Sequence, residues 1–273
     1  MIANARMYSV SAEVGELWWR LLTTISRHAE LPIDVIEYSA PAPINELWDR
    51  TDKAAVFMCG LPYSRSEPKP VLVAAPVPAA PEFHGQPQYW SEVVVRAGSP
   101  FRALADTFGQ RIAFTTPESQ SGCFALLSEL QSAGSERPLF HEVIAPQITP
   151  LGALRAVISG AADVAPIDAY AYSLLQRYCP HVTAQVRSIA RTRPAPIPAL
   201  VASAHQGLEP LWAALLEAHT MPDAAPILRA LLLERFVRPD PHSYHTLLSS
   251  YNSAVQFWRK HPLAVITHPA FAL

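Results

Sequence analysis

The sequence predicts an α/β protein of two lobes, and three observations carry that prediction. Short β-rich apolar runs alternate with helical periodicity in the order β-α-β-α-β, the pattern of mixed sheets with helices on their faces. Two such blocks are separated by Pro-rich connections, at residues 62–87 and 194–198. The 273 residues suffice for two lobes that each bury a core.

The first block opens with a short β-like run at residues 7–10. Val14, Leu17, Trp18, Leu21, Leu22 and Ile25 then recur at helical spacing and share one face. Strands are expected at 33–36, 54–58 and 70–77, with a short helix at 44–50. In the second block a strand at 89–96 precedes Ser99-Pro100, an N-cap followed by Pro at the first helical position. That helix should end near Gly109. A strand at 111–115 leads into a helix at 121–133 stopped by Gly134. Next come a strand at 139–144, a helix at 151–158, a strand at 163–167 and a helix from Asp168 toward Cys179. Strands at 182–190 and 198–202 follow. The remainder reads as largely helical, with Tyr244, Leu247, Leu248, Tyr251, Val255 and Trp258 on one face.

Composition removes several function classes. Half of the residues are hydrophobic and 16% are charged, which excludes a disordered chain. The net charge is −2 and the 21 Lys and Arg form no run, so no nucleic-acid partner is expected. Cys59, Cys123 and Cys179 are too widely spaced for a disulfide framework or a zinc site, and are expected as core thiols. No apolar stretch approaches the roughly 20 residues of a membrane span, so direct membrane insertion is not expected. The first residues lack the apolar core of a secretory signal, which places the chain in the cytoplasm, or in the periplasm if a signal is missing from the sequence. Hydrolase, zinc-protease and P-loop signatures are absent. His242 and His245 lack a third ligand, so neither a metal nor a cofactor is expected.

The most informative stretch is Ile112 to Gly122, which runs strand, polar turn, helix. Helix starts leave N–H groups unpaired and carry partial positive charge. Hydroxyls at Ser119 and Ser121 could add donors, and Gly122 would let an anion approach the backbone. Ser119 or Ser121 also qualifies as an ordinary N-cap.

The runs Tyr89-Trp90-Ser91-Glu92-Val93-Val94-Val95-Arg96, Leu104-Ala105-Asp106, Arg111-Ile112-Ala113-Phe114 and Pro117-Glu118-Ser119-Gln120-Ser121-Gly122 together resemble the PhnD-like phosphate/phosphonate substrate-binding proteins of ABC transporters. Two later segments, residues 156–170 and 189–202, resemble that family in the same order. The resemblance covers about residues 55–203. It implies a type-2 periplasmic-binding-protein fold with mixed sheets flanked by helices, two crossing strands as a hinge, and a ligand in the interlobe cleft. On that reading residues 1–88 and 192–273 form lobe 1, and residues 89–191 form lobe 2. Ser119 and Ser121 match the family's anion-holding serines, with Gln120 where a threonine is usual and Gly122 closing the motif. Asp168 matches an acidic residue that receives a cationic amine, and Tyr63 a cleft tyrosine of the first lobe. Tyr8 and Tyr38, at strand ends, are further candidates for ligand contact or for plain packing.

One departure bears on the ligand. Where the family has Gly-Ser-His, with a histidine on the anion, this chain reads Ile148-Thr149-Pro150. Thr149 could replace one hydrogen bond but not the charge. The expected function is reversible capture of a small anionic ligand in an ABC-transport system, with a permease as the further partner. An enzyme on the same fold, of the kind that performs elimination chemistry in menaquinone synthesis, and a ligand-sensing module are the alternatives.

Overall fold

The computed structural model describes residues 1–133, 137–204, 206–267 and 269–271. The chain forms two compact units, Met1–Gln88 with Pro196–His245, and Tyr89–Ala195 with the residues from Thr246 onward. Each unit is built on its own six-stranded mixed sheet.

In chain order the first stretch supplies β1 (Ile2–Asn4), α1 (Ala12–His28), β2 (Asp34–Val35), α2 (Ile44–Asp49), β3 (Lys53–Met58), α3 (Gly60–Arg65) and β4 (Val71–Pro78). A two-residue strand β5 (Gln88–Tyr89) precedes β6 (Ser91–Arg96), β7 (Arg111–Ala113), α4 (Ala125–Leu130), β8 (Phe140–Ile144), α5 (Pro150–Ser159) and β9 (Val164–Asp168). Next are α6 (Ala169–Tyr178), α7 (Pro180–Thr183), β10 (Val186–Arg191) and β11 (Ala195–Pro196), the last pairing with β5. The chain continues through β12 (Ala199–Ala202), α8 (Glu209–Glu217), α9 (Ala225–Ala230), β13 (Leu233–Val237), α10 (Pro241–Trp258) and β14 (Ala264–Thr267).

The first sheet has the order β13-β4-β12-β3-β1-β2. Helix α1 starts where the Ser11 hydroxyl accepts from Val14 N at 3.2 Å. It buries Val14, Trp18, Leu21, Leu22 and Ile25, the face expected from their spacing. Leu21 is fully buried, so Leu21→Ala would cost about 2–5 kcal/mol.

The second sheet has the order β10-β6-β9-β7-β8-β14. Strands β7, β8 and β9 run parallel, while β6 runs antiparallel to both β9 and β10. The carboxyl ends of β7, β8, β9 and β10 therefore share one edge with the amino end of β6. In sheets of this kind ligands bind outside the carboxyl ends of the parallel strands.

Several expectations need correction. The strand expected at 7–10 is a 3₁₀ turn, Arg6–Tyr8, and the first strand lies earlier at Ile2–Asn4. Asn4 makes that possible: its Nδ2 donates to Ile36 O at 2.9 Å, while its Oδ1 accepts from Arg6 N at 2.8 Å and turns the chain. No helix runs from Pro100 to Gly109. A single 3₁₀ turn, Leu104–Thr107, forms instead, because Asp106 Oδ2 takes up Arg102 N and Ala103 N. Those donors hold the Asp106 carboxyl below its usual range.

The strand expected from 182 starts at Val186, after the helical turn of α7. Strands β13 and β14 interrupt a region read as helical, and α3 was not foreseen. The residues from Thr246 onward, expected in lobe 1, belong to the second unit. Apolar residues of α10 cover α4: Trp258 Nε1 donates to Leu127 O at 3.0 Å and the Tyr251 and Phe124 rings meet at 4.5 Å. β14 then adds to the second sheet alongside β8. Cys59 and Cys123 are buried and Cys179 is half-buried rather than a core thiol. The expected helix stop at Gly134 lies outside the described residues.

Candidate functional site

The exit of β7 builds the site. After Ala113 the backbone passes through Thr115 and a turn in which Ser119 N bonds Thr116 O at 3.1 Å. Ser119 is extended (φ −73°, ψ 126°) and its Oγ accepts from Gly122 N at 2.9 Å, so it is the N-cap. That leaves the Ser119 hydroxyl proton available to donate. The first turn, Gln120–Phe124, is a π-turn, with Phe124 N reaching Ser119 O at 3.1 Å. Such widened turns are rare and concentrate at functional positions.

Gly122 is dictated by packing. A Cβ there would overlap the Thr115 hydroxyl and lie 2.9 Å from Ser119 Oγ. Only glycine lets the end of the strand and the start of the helix touch, which the Thr115 N to Gly122 O bond of 3.2 Å fixes. Thr115 is 5% exposed, and its Oγ1 has no hydrogen-bond partner among the described residues.

Ser121 and Asp168 meet across the sheet edge. Ser121 Oγ donates to Asp168 Oδ2 at 3.4 Å, and Ser91 Oγ donates to Ser121 O at 2.7 Å. Asp168 ends β9 opposite Ser91 of β6. Its Oδ1 accepts from Ala171 N at 2.9 Å and caps α6. One carboxylate oxygen thus caps α6 and the other meets the Ser121 hydroxyl. Thr192, just past β10, completes the edge by accepting from Ser91 N at 2.9 Å.

Thr149 caps α5, its Oγ1 accepting from Gly152 N at 3.0 Å. The loop ahead of it is tied to the exit of β7 by Gln147 N to Phe114 O at 2.9 Å and Ile148 N to Thr115 O at 3.0 Å. On the same edge Arg191 pairs with the buried Glu92 at 2.8 Å, its guanidinium 5.0 Å from the Trp90 ring centre.

The structure therefore brings Ser119, Gln120, Ser121, Gly122 and Asp168 to one edge, with Thr149 one loop away. The three tyrosines lie in the first unit. Tyr8 is 1% exposed, its ring packed on Trp18 and Phe57 at 6.4 and 5.1 Å between centroids. Tyr63, in α3, meets Tyr244 edge-on at 5.2 Å, and burial pushes its hydroxyl pKa up. Tyr38 lies past the end of β2 rather than on it, its hydroxyl 2.8 Å from Pro43 O and 3.1 Å from Glu46 Oε2. Thr115, Ser91 and Thr192 escaped the sequence reading. Strand pairing and helix placement, rather than a local pattern, bring all three to this edge.

Among the described residues no group of three or more His, Cys, Asp or Glu is placed to hold a metal ion. The His242 and His245 rings pack edge-on at 5.5 Å.

Comparison with known proteins adds the family. The model of the periplasmic substrate-binding proteins of phosphonate ABC transporters matches residues 8–244. A binding-protein component of an ABC phosphonate transporter from Pseudomonas aeruginosa is similar in structure, with TM-score 0.77 and 16% identity over 94% of this chain and 87% of that one. PhnD1 from Prochlorococcus marinus, in complex with methylphosphonate, gives TM-score 0.77 and 14% identity over 94% and 98% of the two chains. A Xanthomonas citri protein bound to ATP gives TM-score 0.62 and 17% identity over the same shares. The fold is thus that of the type-2 periplasmic binding proteins, with helices flanking mixed sheets. No curated protein matches in sequence.

Proposed function

Because the chain belongs to the family of periplasmic substrate-binding proteins of phosphonate ABC transporters, we propose that its second unit holds a small anion-bearing ligand on Ser119–Gly122. The ligand is phosphonate- or phosphate-like, or another organic anion. The observation that carries this reading is the capped π-turn at the carboxyl edge of the sheet, where Ser119 keeps a hydroxyl proton to donate and Ser121 places a second hydroxyl beside Asp168, while Gly122 serves the packing of the turn on Thr115. Partial positive charge at the helix start adds to those donors.

Asp168 restricts the ligand further. Two unit charges about 4 Å apart repel by about 4 kcal/mol at an effective dielectric constant of about 20. A fully ionised phosphate beside this carboxylate is therefore disfavoured. A ligand that brings a proton, a hydroxyl or an ammonium to Asp168 is favoured, and we assign Asp168 to reading that second group. Thr149 contributes one hydroxyl and no charge. The reading rests on the second unit and does not require Tyr8, Tyr38 or Tyr63.

Family membership implies an ABC permease as partner and a periplasmic place of work. Among the described residues no helix is long and apolar enough to cross a membrane.

A thermal-shift screen of phosphate, phosphonates, sulfonates and carboxylates tests the proposal. A ligand at a hundred times its Kd stabilises by about 2.7 kcal/mol, which is readily seen in a melting curve. At least one phosphonate or related anion should raise the midpoint. No shift with any of them would contradict the reading.

A further inference from the structure

We infer that Ile148 is a selectivity residue, which favours anions carrying an apolar substituent of a few carbons over those carrying a single methyl group. This rests on the anion seat proposed above.

Ile148 has φ +64°, in the left-handed region. A β-branched side chain is rarely found there, because its Cβ crowds the backbone. Thr149 N bonds Gln147 O at 2.6 Å, closing a γ-turn centred on Ile148, and the positive φ makes it the strained hand of that turn. Three features over-determine the conformation. Ile148 N is bonded to Thr115 O, Gln147 N is bonded to Phe114 O, and Gly152 packs so closely on Gln147 O that a Cβ would overlap it.

The placement leaves Ile148 41% exposed, among the large apolar residues that the fold leaves in contact with solvent. A glycine or asparagine would make the same turn without strain and without apolar surface in water. Strain of this kind persists where it serves a site. The site is adjacent: Ile148 is bonded through its backbone to Thr115, against which Gly122 of the anion seat packs. A strained, exposed, apolar residue beside an anion seat fits the organic part of an alkylphosphonate or a similar organic anion.

The test measures affinity for methylphosphonate and n-butylphosphonate by calorimetry in the wild type, in Ile148→Asn and in Ile148→Leu. Asn tolerates the backbone conformation, so this variant folds and should melt at or above the wild-type midpoint. In the wild type butylphosphonate should bind about tenfold more tightly, as expected for about 55 Å² of apolar surface covered. Ile148→Asn should lose that preference while holding methylphosphonate within about twofold, and Ile148→Leu should keep the preference. An unchanged ratio of the two affinities in Ile148→Asn would overturn the role of Ile148 and leave the seat standing. A wild type that binds no anion would overturn the seat itself, and this inference with it.

Discussion

Gly122→Ala separates two opposing effects of known size. The residue sits in the first turn of the helix with no positive φ, so alanine alone would favour the helix by about 1 kcal/mol. Against this, the new methyl group would overlap Thr115 Oγ1 and lie 2.9 Å from both Ser119 Oγ and Thr115 Cβ. Thr115 cannot retreat as a unit, because its N bonds Gly122 O and its O accepts from Ile148 N. Relief requires a turned Thr115 side chain or a shifted helix start, and overpacking of this kind costs about 1–3 kcal/mol. The net expectation is a loss of up to about 2 kcal/mol, at about 2–4 °C in Tm per kcal/mol for a chain of this size. A double-mutant cycle with Thr115→Ala isolates the contact. Removing the hydroxyl should recover at least half of the loss, with a coupling energy above about 0.5 kcal/mol. Denaturant titration of the four proteins reads both quantities. A Gly122→Ala protein as stable as the wild type, with no coupling to Thr115, would refute the packing argument and the close approach it explains.

Arg111 binds Asp163 through Nε at 2.9 Å and Nη2 at 3.1 Å, and its backbone N adds a bond at 3.1 Å. Burial raises the Asp163 pKa, but these bonds outweigh it and the net shift is downward. A depressed folded pKa gives stability that is present above the unfolded value near 3.9 and is lost as pH falls through the folded value. Asp163→Asn should therefore cost about 1–2 kcal/mol at pH 7 and progressively less below about pH 4, read as Tm against pH. Trp258→Ala removes a buried indole and its bond to Leu127 O, a loss of about 3–5 kcal/mol. Hydrogen exchange should rise in the second unit around α4 and β8; a rise confined to the first unit would contradict the placement of α10. Tyr38→Phe removes a hydroxyl from a half-exposed ring, and should change Tm by less than about 2 °C.

Where a single element carried its own pattern, the sequence was enough. The apolar face of α1, of which all but the half-buried Leu17 is buried, the Ser119 and Asp168 caps and the strands flanking them follow from periodicity and cap chemistry. What failed depended on distant partners. β1 was missed because Asn4 looks unfavourable in a strand until Ile36 O and Arg6 N are there to pair with it. β13 and β14 are four or five residues long and gain their strand character from β4 and β8, far away in sequence. Pro100 reads as a helix start, yet Asp106 captured the N–H groups needed to begin one. At the site, Ser119 and Asp168 were legible because caps are local. Thr115, Ser91 and Thr192 were not, since strand pairing and helix placement bring them to the edge.

The central claim is that Ser119 and Ser121 hold an anion, and calorimetric titration of a phosphonate into the wild type and a Ser119→Ala/Ser121→Ala variant tests it most directly. Each hydrogen bond from a hydroxyl to a charged group is worth about 1.5–3 kcal/mol. Ser121 gives up its bond to Asp168 when it turns to the anion, so loss of both hydroxyls should weaken binding by at least about tenfold, with the fold retained as judged by circular dichroism. A folded double variant that binds the same phosphonate with wild-type affinity would contradict the account.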